Sequence, residues 1–222
     1  QFLMLAGMFF IIVRSFPAER MVAFDCFRPG AMLPTMMAVG LLYNLAIWID
    51  KIVFWFAADT GMNVIGPLRA SVIYDMPVFL AYLSIIPGMA VFLVRFETDF
   101  VEWYDKFYNA VREGGSLEEI ARMRDEMVYA IRHGLFDIVK LQTLAVLVMV
   151  VFAPAIFDKL GISGLYLPLF YVDAVAASLQ VALLAVMNVF FYLDRRRAVL
   201  AVVTLLTVLN FGLSVLSLRL GA

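Results

Sequence analysis

Asn44, Trp48, Lys51 and Trp55 step by four, three and four residues, a spacing that sets them along one face of a helix. Two indole planes, an amide and an ammonium are the side-chain types that stack on and hydrogen-bond to a sugar chain in transit. The same types also suit an aromatic belt with a snorkelling lysine near a membrane surface. Asp50 points about 100° away from Lys51 on a helix, so the adjacent pair is not expected to form an ion pair. It lies instead with Tyr43, Ile47 and Phe54 on a neighbouring face and needs a partner from another helix. An ionisable side chain at membrane depth costs about 2.5–3.5 kcal/mol on insertion scales, so each one marks a partner or a watery cavity.

A second set lies further along the chain. Asp173 and Gln180, seven residues apart, share a helical face and form a cavity-facing pair, with Asn188 less well aligned. Arg69 and Asp75 fall in a connection with Gly66, Pro67 and Tyr74 that reads as an ordered turn before Pro77, where the two pair with each other or gate a pathway. Pro87–Gly88 predicts a kink within an apolar helix. His133 stands alone, with no metal-ligand spacing and no nucleophile set beside a base. No P-loop is present, so ATP hydrolysis is not expected, and neither is a metal, a cofactor or an enzyme activity. Cys26 is the single cysteine, which excludes an internal disulfide framework.

The elements that carry these residues follow from composition. Apolar residues make up 64% of the chain, charged residues only 16%, and mean hydropathy is +0.95, far from the balance of a water-soluble domain. Apolar runs of about 20 residues without polar alternation predict spanning helices rather than a barrel, and hence an all-α polytopic transmembrane bundle. Residues 1–13 read as the end of one spanning helix, and 31–57, 77–95, 141–157, 166–193 and 198–217 as five more. Gln1 sits inside an apolar run without an initiator Met, and the chain reads as a fragment with a truncated end at 218–222. The run Asp194–Arg197 between two apolar stretches is expected in the cytoplasm by the positive-inside rule. Alternation then places 14–30, with Arg14, Arg20 and Arg28, and 96–140 in the cytoplasm, and 58–76 and 158–165 in the periplasm. A net charge of −1 offers no basic surface for nucleic acid; membrane lipid is the expected surrounding.

The segment 95–140 breaks the apolar pattern and holds about half of the charged residues. Phe100, Tyr104, Phe107, Tyr108 and Val111 recur at helical spacing before Gly114–Gly115. Ser116 and Glu119 form an S-x-x-E capping box, after which Leu117, Ile120, Met123, Met127, Ile131, Leu135 and Ile138 continue one apolar stripe. This predicts an amphipathic helical hairpin lying on the cytoplasmic face of the bilayer or against a soluble partner, with Glu118, Arg122 and Asp125 as candidate partner contacts.

Long stretches resemble a known family. LLYNLAIWIDKIVFWF (41–56), the run from Gly66 to Ile120, LYLPLFYVDAVAASLQ (165–180) and NVFFYLDRRR (188–197) are similar to the PelG family of exopolysaccharide exporters of the Pel system. The resemblance implies the second half of a twelve-helix flippase-type transporter of the MATE/MOP class. It would hold the end of the sixth helix, an inter-bundle linker at 14–30 and helices seven to eleven. It further implies a Gram-negative inner membrane, an N-acetylgalactosamine-rich polysaccharide bound for the biofilm matrix, and assembly with PelD, PelE and the glycosyltransferase PelF. A membrane scaffold that recruits a synthase, or a flippase for lipid-linked oligosaccharides, remains the alternative.

Overall fold

The structure, a computed structural model, describes residues 2–16 and 33–220. Most of the expected linker 14–30, including Arg20, Cys26 and Arg28, lies outside the described residues, as do residues 31 and 32 of the span expected from 31. The chain is an all-α membrane-helical bundle. Its helices are α1 (Phe2–Ser15), α2 (Pro34–Phe56), α3 (Val72–Leu83), α4 (Ile86–Val94), α5 (Val101–Arg112), α6 (Leu117–Leu160), α7 (Leu167–Tyr192) and α8 (Arg196–Leu220). Among the described residues, five helical stretches are long and apolar enough to cross a membrane: 34–56, 72–112, 117–160, 164–192 and 196–220.

Two of these stretches are much longer than a bilayer requires. At about 1.5 Å per residue, the 41 residues of 72–112 and the 44 of α6 each measure roughly 60 Å, against a hydrocarbon core of about 30 Å. Their excess forms the charged hairpin, which turns at Gly114, whose φ of +73° favours glycine. Ser116 caps α6 by accepting from the Glu119 amide at 3.2 Å. The hairpin is thus a continuation of two long apolar helices. Nothing breaks α6 between its cap and Gly161, so its charged first half and apolar second half share one axis. Leu117, expected in the apolar stripe, is the first residue of α6 and is 85% exposed.

The expected kink at Pro87–Gly88 falls slightly earlier, at Ser84–Ile85 between α3 and α4. Pro87 has no N–H to give the carbonyl of Leu83, so the ladder fails one turn before the proline. Ser84 Oγ donates to the Ala81 carbonyl at 2.6 Å, and the buried Gln142 of α6 donates from Nε2 to the Ser84 carbonyl at 3.1 Å. A single π-helical turn, Arg95–Phe100, joins α4 to α5. Helix α3 also begins earlier than expected, with Pro77 inside it, and the connection before it contains a short antiparallel hairpin, β1 (Met62–Ile65) and β2 (Leu68–Ala70).

Three apolar clusters hold the bundle together. Phe92, Phe96 and Phe100, four residues apart, form an aromatic ladder that continues to Tyr104 and meets Tyr192, with Met127, Ile138, Val181, Ala185 and Val189 opposite. Leu80, Ala81, Val146, Ala153, Phe157, Phe170 and Ala174 join α3, α6 and α7. Val39, Met187, Val199 and Val203 join α2, α7 and α8. Helix α8 packs extensively beside α2 in parallel, with Thr207 Oγ1 donating to the Leu42 carbonyl and Asn210 Nδ2 to the Ala46 carbonyl. The α2/α8 pair meets α3 and the middle of α7 far more sparsely. Between the two groups the helices stand apart.

Candidate functional site

That separation is a cavity of about 630 Å³, within the range of small-ligand sites. Helix α2 lines it with Ala46, Ile47 and Asp50, and α3 with Tyr74, Val78, Ala81 and Tyr82. Asp173, Gln180 and Leu183 enter from α7, and Asn210 and Leu213 from α8. It starts near mid-span and extends towards the helix ends that carry β1–β2. At the opposite end the Val39–Met187–Val199–Val203 cluster closes the gap. The wall is apolar except for two carboxylates, two phenols and two amides.

The polar groups bridge helices. Tyr74 Oη donates to Asp50 Oδ2 at 2.6 Å, so α3 supplies the partner that Asp50 needs, and the Tyr74 ring stacks on Phe54 at 4.2 Å. Tyr82 Oη donates to Gln180 Oε1 at 2.9 Å, tying α3 to α7. Asp173 keeps its Oδ2 buried with no hydrogen-bond partner.

One expectation about this face is overturned. Lys51 does contact Asp50, with Nζ 3.4 Å from both carboxylate oxygens. The backbone directions of adjacent residues do diverge, but the four-carbon lysine stem curls back far enough to donate to the Ile47 carbonyl at 3.0 Å as well. Both side chains are only 13% exposed. Lys51 also lies 5.2 Å from the Tyr82 ring centre and 5.8 Å from that of Trp48.

The expected stripe on α2 does not line the cavity as a unit. Asn44 is exposed and donates to the Gly40 carbonyl of its own helix at 2.8 Å, and Trp48 is 49% exposed with its edge to Trp55. Trp55 donates from Nε1 to Asp75 at 2.9 Å, at the cavity's β1–β2 end. Arg69 and Asp75 form no ion pair: the Asp75 carboxylate is taken by Trp55 and the Ser71 amide, while the Arg69 guanidinium lies 5.3 Å from the Phe56 ring centre. Of the residues singled out from sequence, the structure gathers Asp50, Asp173 and Gln180 around the cavity, with Lys51 behind Asp50. Trp55, Arg69 and Asp75 sit together at one end, and Asn44 and Trp48 face outward.

Sequence reasoning gave no role at the cavity to Tyr74, Tyr82 or Asn210. A signal existed for Asn210, an amide inside the apolar run 198–217, and for Tyr82, eight residues after Tyr74. Glu118, Arg122 and Asp125 are exposed on the first turns of α6, far from the cavity, and Asp125 pairs with Arg124 at 2.8 Å. His133 is exposed and stacks on Tyr129. Among the described residues no three of His, Cys, Asp or Glu come together as a metal site would need.

Comparison with curated proteins and with solved structures gave no match. The family model PelG, whose description reads "Putative exopolysaccharide Exporter (EPS-E)", matches residues 1–222. With five candidate spans among the described residues of a multi-pass membrane protein and a mostly apolar cavity carrying a few polar groups between them, the chain belongs to the PelG family of exopolysaccharide exporters.

Proposed function

We propose that the cavity between α2, α3, α7 and α8 is a wall of the path along which a nascent, N-acetylgalactosamine-rich Pel polysaccharide leaves the cytoplasm of a Gram-negative bacterium for the biofilm matrix. The observation that carries this reading is the cavity's lining: isolated hydrogen-bonding groups from four helices, set at membrane depth in an apolar wall. Asp50, Asp173, Gln180, Tyr82 and Asn210 offer acceptors and donors to sugar hydroxyls, and Tyr74 and Tyr82 offer ring faces. The chain moves polymer without making or cutting bonds, with no cofactor.

Arg195–Arg197 and the charged hairpin lie at the same end of the bundle, which the positive-inside rule assigns to the cytoplasm. The cavity then lies towards the periplasmic end of the bundle. The exposed Glu118, Arg122 and Asp125 on the hairpin are positioned for a cytoplasmic glycosyltransferase, PelF, with PelD and PelE completing the membrane assembly.

The test is export by the full-length protein in its complex. Asp50→Asn and Gln180→Leu should each stop polymer from reaching the cell exterior while protein level and partner co-purification persist. Undiminished export in both variants would remove the cavity from the path. The exposed, charged hairpin supports a second reading, a scaffold that recruits a synthase. In that case Glu118→Lys, Arg122→Glu and Asp125→Lys abolish co-purification, and the cavity variants change nothing.

A further inference from the structure

The cavity holds a charge count that does not close. Asp50 and Asp173 bring two carboxylates, and Lys51 brings one ammonium. The charges that reach Asp173 are those of Asp50 and Lys51. Among the described residues, no other element packed against Asp173 brings a further charge. Helix α3 presents Tyr74 and Tyr82; its Asp75 is turned to Trp55 and the Ser71 amide. Helix α8 presents Asn210 and leucines, and α6 presents Ala153 and Phe157. Arg69 sits over Phe56, and Asp158, Lys159 and Arg219 are exposed near helix ends.

Fully ionised, the centre is therefore one negative charge in excess inside an apolar wall. A lone ion there is far more costly than a neutral group. The excess is not shared equally. Asp50 has the Tyr74 hydroxyl at 2.6 Å and Lys51 at 3.4 Å, both of which favour a carboxylate. Asp173 has an oxygen, Oδ2, that is buried and receives no hydrogen bond. A carboxylate oxygen without a donor in such a place is the one that a proton neutralises most cheaply.

We propose that the Asp50–Lys51–Asp173 centre binds one exchangeable proton, carried on Asp173. Loading takes the centre from a net charge of −1 to zero, and release towards the open end of the cavity restores the negative charge. That the proton is exchanged during export, so that a transmembrane proton gradient biases the path, rests on the function proposed above; the presence of the proton does not.

The test reads the proton without export. Purified full-length protein in phospholipid nanodiscs is examined at neutral pH by infrared spectroscopy for the carbonyl stretch of a protonated carboxyl group, with size-exclusion profiles confirming that each variant is folded and monodisperse. The charge count predicts one such group at this centre, seen as a band in the native protein that Asp173→Asn removes. It also predicts none in Asp50→Asn, where the Lys51 ammonium balances an ionised Asp173. Lys51→Met should hold two. A site that merely tolerates a buried acid for packing would not follow this sequence of one, none, none and two. Persistence of the band in Asp173→Asn, its absence from the native protein, or indifference to Asp50→Asn and Lys51→Met overturns the inference. Exchanging sodium for potassium or choline should leave the band unchanged; its disappearance with sodium alone would show a metal cation where a proton is proposed. If the band behaves as expected but Asp173→Asn exports normally, the proton centre stands and its link to export falls.

Discussion

Gly88 lies on α4 where Gln142 of α6 reaches across to the break between α3 and α4, and this contact sets up a substitution whose cost should depend on its neighbour. A methyl group at Gly88 would collide with Gln142 Oε1 and come within 3.1 Å of its Cδ and 3.3 Å of its Cβ. Gln142 is 2% exposed and its amide donates to the Ser84 carbonyl, so the side chain has no room to step aside without giving up that bond. Overpacking of this kind costs about 1–3 kcal/mol. Loss of an interhelical hydrogen bond within a membrane adds about 0.6–2 kcal/mol. Against these stands the preference of a helix for alanine over glycine, about 1 kcal/mol. Gly88→Ala alone should therefore destabilise by about 0.6–4 kcal/mol. In a Gln142→Ala background the collision with Oε1 and Cδ and the bond are gone and only the 3.3 Å contact with Cβ remains, so the same Gly88→Ala change should be near neutral, within about 1 kcal/mol. Unfolding in mixed micelles with increasing dodecyl sulfate, followed by circular dichroism, gives the four free energies of the cycle. Equal cost in both backgrounds would refute the assignment of Gln142 as the group that props the break.

Further perturbations follow from single contacts. Tyr74→Phe keeps the ring stacked on Phe54 but removes the donor to Asp50, and should cost about 1–3 kcal/mol in the same assay; a change below about 0.5 kcal/mol would show that Lys51 and water suffice. Ser116→Ala removes the α6 cap and should cost about 1 kcal/mol locally, seen as faster hydrogen exchange of the Glu119 amide with the spanning half unchanged. Charge reversals at the exposed Glu118, Arg122 and Asp125 should leave stability within about 0.5 kcal/mol, so any lost co-purification of a glycosyltransferase reports a contact and not unfolding.

The legible part of the fold was the part that composition decides. Apolar runs announced the spans because lipid leaves the backbone no option but a helix. The Ser116–Glu119 box marked the start of α6, and its side-chain bond is present. What composition did not reveal was continuity. The charged stretch 117–140 and the apolar stretch after it differ in their surroundings but meet without a breaker, and Pro154 further on does not interrupt the helix, so they form one element. The break at Ser84–Ile85 was displaced from Pro87 because the effect of a missing N–H is felt at the carbonyl four residues earlier.

The site was partly legible for a similar reason. Helical spacing finds residues that share a face, and it grouped Asp173 with Gln180, both of which line the cavity. It cannot say which face of α2 meets a neighbour: α8 occupies the side of Leu42 and Ala46, which turns Asp50 inward and leaves Asn44 and Trp48 outside. Nor does it account for reach, which is why Lys51 contacts the adjacent Asp50 although their Cα–Cβ directions diverge.

These two limits meet at the cavity. Asp50 is useful there because α2 is clamped on one side by the parallel α8 and only lightly held on the other by Tyr74 and Asp75 of α3 and the short β1–β2 connection. The α2–α8 pair is joined through apolar contacts and backbone carbonyls, which do not respond to charge. The α2–α3 contacts run through two carboxylates, Asp50 and Asp75, and one ammonium, which do. A polar group or an ion entering the cavity therefore acts on the weaker of the two seams.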